Sequence, residues 1–166
     1  MASMRSAQRS RLEELRGTWL FSACSTKELR AVASLCTPID VRAGRVLIRE
    51  GELGGECFIV LSGQAVVERA GVVLGHDVCH SVIGLLAMLD REPHTATVTA
   101  ATDMYLLVLD RRELAALRKG EIAWSVQHRI EVVAAEQRDR RVAAPARQTS
   151  RAFLSRPLAH VAPGLA

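Results

Sequence analysis

The feature that most constrains this chain of 166 residues is a series of short apolar runs separated by glycines, which begins after Pro38. Each run is too short for a helix and is richer in β-branched and aromatic residues than the flanking segments. The glycines placed at the intervening turns are Gly44, Gly51, Gly54, Gly55, Gly63, Gly71 and Gly75. Turns at such short intervals are typical of a compact β-barrel or roll. A second strand-like group, residues 95–110, closes the β region.

Helical patterns flank the β region on both sides. Residues 6–17 are amphipathic and end at a glycine, and Ser25 with Glu28 has the form of a capping box ahead of an apolar stretch. After the β region, Asp110 is placed to cap a short helix, and residues 121–141 form a longer one. The sequence therefore predicts a mainly β fold with flanking helices.

Within the longer helix, apolar residues recur at steps of 4, 4 and 3 and form one stripe of Ile122, Val126, Ile130 and Val133. A stripe of this kind must be buried. It packs either back onto the roll or against a protein partner or a second copy of the chain, and the sequence leaves both options open.

Composition supports one domain, because 49% hydrophobic residues supply a single core. We divide the chain into a helical extension (1–19), a folded domain (20–141) and an unstructured basic tail (142–166). From Arg138 onward, six arginines and one aspartate contribute +5 to a net charge of +4, which leaves the preceding residues at −1. The Pro-containing tail is too short for a helix-turn-helix, so no direct sequence-specific DNA binding is expected.

Other classes of protein are disfavoured by missing patterns. The four cysteines form no CxxC pair and no zinc-type cluster, so buried, reduced thiols are expected. The chain shows no secretory signal and no run of about 18 apolar residues, which predicts a cytoplasmic protein without a membrane span. No nucleophile elbow, zinc-protease motif or phosphate-binding P-loop is present, so we expect neither an enzyme nor a bound metal or cofactor.

Two stretches carry a resemblance to a known family. Residues 47–63 follow a strand, a Gly-acidic turn, an apolar strand and a final glycine, with Cys57 as the one departure. This pattern resembles the cyclic-nucleotide-binding domain family, of the catabolite activator and protein kinase A regulatory-subunit type. The resemblance extends over roughly residues 20–141 and implies a jelly-roll-like β-roll followed by C-terminal helices.

The second stretch, residues 84–100, resembles the phosphate-binding cassette of that family. The resemblance implies that the ligand-binding positions are Gly84, Leu85, Leu86, Ala87, His94, Thr95 and Ala96. In ligand-binding members, a glutamate after the glycine accepts a hydrogen bond from the ribose 2′-hydroxyl, and an arginine pairs with the cyclic phosphate. Those two positions are Leu85 and His94 here.

These two departures predict weaker nucleotide binding. If each lost charge-assisted contact is worth about 1.5–3 kcal/mol, losing both weakens affinity by about 10²- to 10⁴-fold. A protonated His94 or a swung-in Arg91 would replace part of the loss, and the double change His94→Arg with Leu85→Glu is predicted to strengthen binding. The segment from His76 to His80 also departs from the family pattern, and we interpret it as a rearranged loop rather than a metal site.

Two functions remain open from the sequence. The first is a regulatory module that senses a cyclic nucleotide, cAMP or cGMP, or another small anion, and signals through a protein partner or a homodimer. The second is a degenerate module that binds no nucleotide and serves as an interaction subunit.

Overall fold

The computed structural model describes residues 2–120 and 124–143, and within them eight strands form two antiparallel sheets. The strands are β1 (Thr37–Val41), β2 (Val46–Ile48), β3 (Glu56–Ser62), β4 (Gln64–Arg69), β5 (Val72–Val78), β6 (Val82–Ile83), β7 (Thr97–Ala100) and β8 (Met104–Asp110). The helices are α1 (Ala2–Gly17), α2 (Thr26–Leu35), α3 (Leu85–Asp90), α4 (Arg111–Lys119) and α5 (Trp124–Ala143). The first sheet has the order β1-β8-β3-β6 and the second the order β2-β7-β4-β5. The predicted β-roll with flanking helices is confirmed.

The helix boundaries follow from the capping residues seen in the sequence. Ser25 begins α2 with a complete capping box, in which its hydroxyl accepts from the Glu28 amide and the Glu28 carboxylate accepts from the Ser25 amide. Asp110 and Glu113 form the same reciprocal pair at α4. Each box satisfies two amides that a helix start otherwise leaves unpaired, so both predicted helix starts are confirmed.

The two central strands of the first sheet, β3 and β8, are buried on both faces. In β3, Cys57 and Ile59 point to the helices, while Phe58 and Val60 point into the roll. Because side chains alternate across a strand, a strand covered on both sides needs an unbroken apolar run rather than an alternating one. This explains the continuous runs of the sequence at β3 and β8.

The face of the first sheet that carries Cys57 and Ile59 is covered by the helices, and we call it the outer face. Burial first, and then the nearby Cys36 thiol and acidic side chains, raise the pKa of the Cys57 thiol to about 12. Cys57, the one departure from the family pattern in this strand, is 1% exposed and fills its position as a small apolar residue.

The opposite face looks into the roll, and we call it the inner face. Its core joins residues of both sheets, with Phe58 and Leu106 from the first and Ala65 and Val98 from the second. Between β1 and β2, where the sheets separate, this face opens into a cleft of about 410 Å³ whose floor includes Phe58.

One glycine lies in a different element from the one expected. Gly75 was predicted at a turn, but it lies inside β5 and pairs with Val67 beside a register shift, a position where a glycine commonly marks a bulge. The predicted N-terminal extension belongs to the same core as the roll, since Leu15 of α1 is fully buried in it. Helix α5 runs to Ala143, and the remainder of the predicted tail, 144–166, lies outside the described residues.

Candidate functional site

The cassette predicted from the sequence is a short buried helix, α3, between β6 and β7. Gly84 precedes it with φ +82°, a left-handed conformation that favours glycine. The next four residues, Leu85, Leu86, Ala87 and Met88, are all buried. Burial of these four residues explains why they are all apolar, while the last residue of the helix, Asp90, is half-buried and polar.

The two ends of the cassette meet in space. A Cβ built on Gly84 would lie 3.4 Å from the Cε1 atom of His94, 2.9 Å from Ile48 Cδ1 and 3.2 Å from the Glu56 carbonyl oxygen. The imidazole of His94 therefore lies beside the start of α3, although the two residues are ten positions apart in the chain. A side chain at Gly84 would separate them.

The loop that carries His94 is anchored to the β2–β3 loop. The His94 amide donates to the Glu52 carbonyl at 2.8 Å, and the Gly51 amide donates to the His94 carbonyl at 2.9 Å. Leu53 and Pro93 form an isolated antiparallel bridge in the same place. These bonds hold the backbone of His94 from both sides.

The β2–β3 loop also lies directly on α3. A Cβ on Gly54 would be 2.6 Å from the Ala87 carbonyl carbon and 2.8 Å from the Met88 amide nitrogen. The lack of a side chain at Gly54 and the small one at Ala87 thus allow the close approach. Gly54 of the first family stretch and Ala87 of the second are therefore in direct contact and belong to one site.

Thr95 and Ala96 lead from His94 into β7. Thr95 is exposed, Ala96 is half-buried, and the Thr95 carbonyl accepts a hydrogen bond from Arg69 Nε at 2.8 Å. Arg69 was not singled out in the sequence, because it is 26 residues away and only the pairing of β4 with β7 brings it here. The sequence pattern contains no motif that could have identified it.

Leu85, at the position of the family's glutamate, belongs to the outer face. It is 7% exposed and lines an apolar cavity of about 10 Å³ together with Val126 and Ile130 of α5. A void of this size holds at most about one water molecule, and its apolar walls keep it dry. Leu85 therefore links the cassette to α5 by packing.

Two residues of the stripe predicted on the long helix, Val126 and Ile130, pack onto the roll. Val126 and Ile130 are 3% and 4% exposed within the chain's own core, so they are not free for a partner in this arrangement. Val133 is half-buried, and Ile122 lies outside the described residues. Among the α5 side chains that the structure describes, the exposed large apolar one is Val132, at 40%.

Two arginines hold the far end of α3. The Arg111 guanidinium, at the start of α4, donates to the Met88 carbonyl through Nε at 3.3 Å and to the Gly54 carbonyl at 2.8 Å. Arg138 of α5 pairs with Asp90, with Nε at 3.0 Å from Oδ2. Helix α3 is thus tied to α4, α5 and the β2–β3 loop by side chains that cap its last turn.

The remaining candidates lie apart from this constellation. Arg91, considered as a substitute for the cassette arginine, is exposed and ends α3 with φ +56°. His80 packs against the end of α1, where a Cβ on Gly17 would be 2.8 Å from its Nε2 atom. Among residues 2–120 and 124–143, no three His, Cys, Asp or Glu side chains converge on a metal position. No helix in the described part of the chain is long and apolar enough to cross a membrane.

A roll of two antiparallel sheets, with a short glycine-initiated helix between β6 and β7 and a long helix packed outside, defines the class of β-roll domains that carry a phosphate cassette. A sequence profile described as cyclic nucleotide-binding domain matches residues 38–121, half of the chain. The chain belongs to the cyclic nucleotide-binding domain family.

Relatives of known function share this domain over a part of their length. The cGMP-dependent protein kinase egl-4 of Caenorhabditis elegans is 46% identical over 70 residues, which are 42% of this chain and 9% of the kinase. The catabolite activator protein of Thermus thermophilus superposes with a TM-score of 0.66 at 23% identity, over 74% of this chain and 59% of that one. A cAMP-binding acyltransferase from Mycobacterium smegmatis superposes with a TM-score of 0.54 at 30% identity, over 63% of this chain and 34% of that one. The chain spans less than a third of the length of the curated kinases it matches.

Proposed function

We propose that the chain is a non-catalytic regulatory module that senses a cyclic nucleotide, cAMP or cGMP, or another small anionic ligand. The observation that carries the proposal is the meeting of Gly84 and His94, since it assembles both ends of the cassette on a held backbone. Relatives described as cGMP-dependent and cAMP-binding support the same ligand class.

The cassette side chains define what such a ligand would contact. His94 supplies a ring nitrogen as a hydrogen-bond donor, and this contact strengthens when the imidazole is protonated. Leu85 offers no acceptor to a ribose hydroxyl and points toward α5 instead. We therefore expect binding that is weaker than in a member with both family side chains, and that depends on pH.

Output would pass through α5, because this helix shares a cavity wall with Leu85 and an ion pair with Asp90. A shift of α3 on ligand binding would disturb both contacts. We place the contact with a protein partner or a homodimer on the exposed side of α5, around Val132. We expect the protein to act in the cytoplasm.

The second candidate is a module that binds no nucleotide and serves as an interaction subunit. Leu85 and His94 favour it, since both charge-bearing side chains of the family cassette are missing. In that case the roll and α5 act as a scaffold, and the cassette is kept for packing.

Titration calorimetry of the protein with cAMP and with cGMP at pH 6 and pH 8 decides between the candidates. Saturable binding that is weaker at pH 8 supports a sensor in which protonated His94 contacts the phosphate. Absence of heat at millimolar nucleotide at both pH values overturns the nucleotide-sensing function and favours the interaction subunit.

A further inference from the structure

The family cassette uses a guanidinium at the position that His94 occupies here, yet an arginine from another strand reaches the same loop. Arg69 ends β4, and its Nε atom donates to the Thr95 carbonyl at 2.8 Å. No side-chain partner of Arg69 is present among the described residues, so both terminal amino groups of its fork remain available. An arginine held by one bond through Nε, with both amino groups still able to donate, suits recognition of an anion.

Strand register places Arg69 on the face that looks into the roll. Val67 pairs with Val98 and Ala65 pairs with Ala100, and all four belong to the inner core. Because side chains alternate, Arg69 shares this face with Ala65 and Val67. The last residue pair between β4 and β7 is Glu68 with Thr97. Arg69 is the next residue of β4 and therefore stands opposite Ala96, which follows Thr95.

The same register relates Arg69 to His94. His94 lies two residues before Ala96, and its ring stands beside Gly84 at the start of the cassette. Its backbone is held by the bonds to Gly51 and Glu52, so the point from which its side chain leaves the main chain is fixed relative to β7. Arg69 and His94 thus border the same loop from two sides.

We infer that Arg69 supplies, from β4, the guanidinium contact to the ligand phosphate that the cassette itself lacks. The inference rests on the proposed function, because it assigns a second anion-binding side chain to the same site. It predicts that nucleotide binding does not depend on His94 alone. It also predicts that an arginine introduced at position 94 would be partly redundant with Arg69.

The test compares the affinity for cAMP and cGMP of the wild type, Arg69→Met, Arg69→Lys, His94→Arg and the double variant Arg69→Met/His94→Arg. Arg69→Met is expected to raise Kd by about 10- to 150-fold, the range for one charge-assisted contact. Arg69→Lys keeps the charge without the fork and is expected to give an intermediate Kd. His94→Arg lowers Kd by some factor in each background. We expect that factor to be about tenfold larger when position 69 is Met than when it is Arg, because the two guanidinium groups contact the same phosphate.

Arg42→Met is the matched control. Arg42 is also exposed, but it belongs to the β1–β2 turn that bonds to Ala100, at the opposite end of β7. Its Kd should stay within about twofold of the wild type, and urea unfolding of Arg69→Met should match that of Arg42→Met.

Failure of the Arg69 assignment and failure of the proposed function give different results. Wild-type binding that Arg69→Met and Arg42→Met leave equally unchanged overturns the role of Arg69 and leaves the proposed function standing. An equal gain from His94→Arg in both backgrounds also overturns it, because the two arginines would then act independently. Absence of wild-type binding to either nucleotide overturns the proposed function and the role of Arg69 together.

Discussion

The two faces of strands β3 and β8 are made from the same continuous apolar runs, yet they end in different environments. The outer face is sealed by helices, and the cavity found there has a volume of about 10 Å³. The inner face opens between β1 and β2 into a cleft of about 410 Å³. An apolar run therefore indicates burial on both sides of a strand without indicating which side keeps space for solvent or ligand.

The two departures from the family cassette lie in different surroundings. Leu85 joins the outer core with Val126 and Ile130, while His94 stays half-buried next to Gly84. One departure has thus become part of the packing and the other has stayed at the candidate ligand site. Substitutions at the two positions should differ in kind, with stability changing at Leu85 and ligand affinity at His94.

The largest expected effect is at Leu85. Leu85→Glu places a carboxylate among apolar side chains with no partner, which should cost about 3–5 kcal/mol of unfolding free energy. From the sequence alone, the double change Leu85→Glu with His94→Arg is predicted to strengthen nucleotide binding. Because Leu85 is buried, we now expect the single change His94→Arg to give the gain in affinity without the loss of stability. Urea unfolding measures the loss, with Leu85→Met as a size-conserving control that should lose less than about 1.5 kcal/mol.

A loss below about 1 kcal/mol in Leu85→Glu, accompanied by tighter nucleotide binding, would contradict the assignment of Leu85 to the outer core. It would mean that position 85 turns toward the ligand, as its counterpart does in binding members of the family.

The next effect concerns α5. Ile130→Ala removes a side chain that is 4% exposed and should cost about 2–5 kcal/mol. Val132→Ala, two residues along and 40% exposed, should change stability by less than about 0.5 kcal/mol. Thermal unfolding of both variants is measured at two protein concentrations. If Ile130 is buried within one chain, the stability lost in Ile130→Ala is the same at both concentrations. A strongly concentration-dependent loss at Ile130 would instead assign it to a dimer interface.

A third effect tests the contact between the β2–β3 loop and α3. In Gly54→Ala the new methyl group would lie 2.6 Å from the carbonyl carbon of Ala87, so the loop must move, at a cost of about 1–3 kcal/mol. Gly55→Ala is a control one residue away, since its added Cβ has nothing within 4 Å. Equal unfolding midpoints for both variants would show that the loop is not held against the cassette.

Much of the fold follows from local patterns in the sequence. Ser25 and Asp110 satisfy helix-start amides within three residues of themselves, so their helices can be predicted without any tertiary information. The turn at Gly63 is equally local, since its φ of +92° is a left-handed conformation that favours glycine. Such features need only neighbours in the chain or an excluded side chain.

The candidate site depends on contacts that no local pattern encodes. Family resemblance identified Gly84 and His94, but the reach of Arg69 to Thr95 depends on the register of β4 with β7. The period of the apolar residues predicts the stripe on α5. Which surface covers Val126 and Ile130, here the outer face, depends on how the helix folds back onto the roll. Gly75 was misplaced at a turn because a glycine at a bulge and a glycine at a turn look alike in sequence.

The smallest predicted effect distinguishes a positioning role from a packing role at Arg111. Arg111→Met keeps the apolar stem but removes both bonds to the Met88 and Gly54 carbonyls, which should cost about 1 kcal/mol at this partly solvated position. The neighbouring exposed Arg112 gives the control, since Arg112→Met should be nearly neutral. Because the two carbonyls belong to α3 and to the loop that anchors His94, the same variant should lose nucleotide affinity more than stability. Calorimetry measures the change in Kd and urea unfolding measures the change in unfolding free energy. An unchanged Kd with a lowered unfolding free energy would show that Arg111 only stabilises the fold.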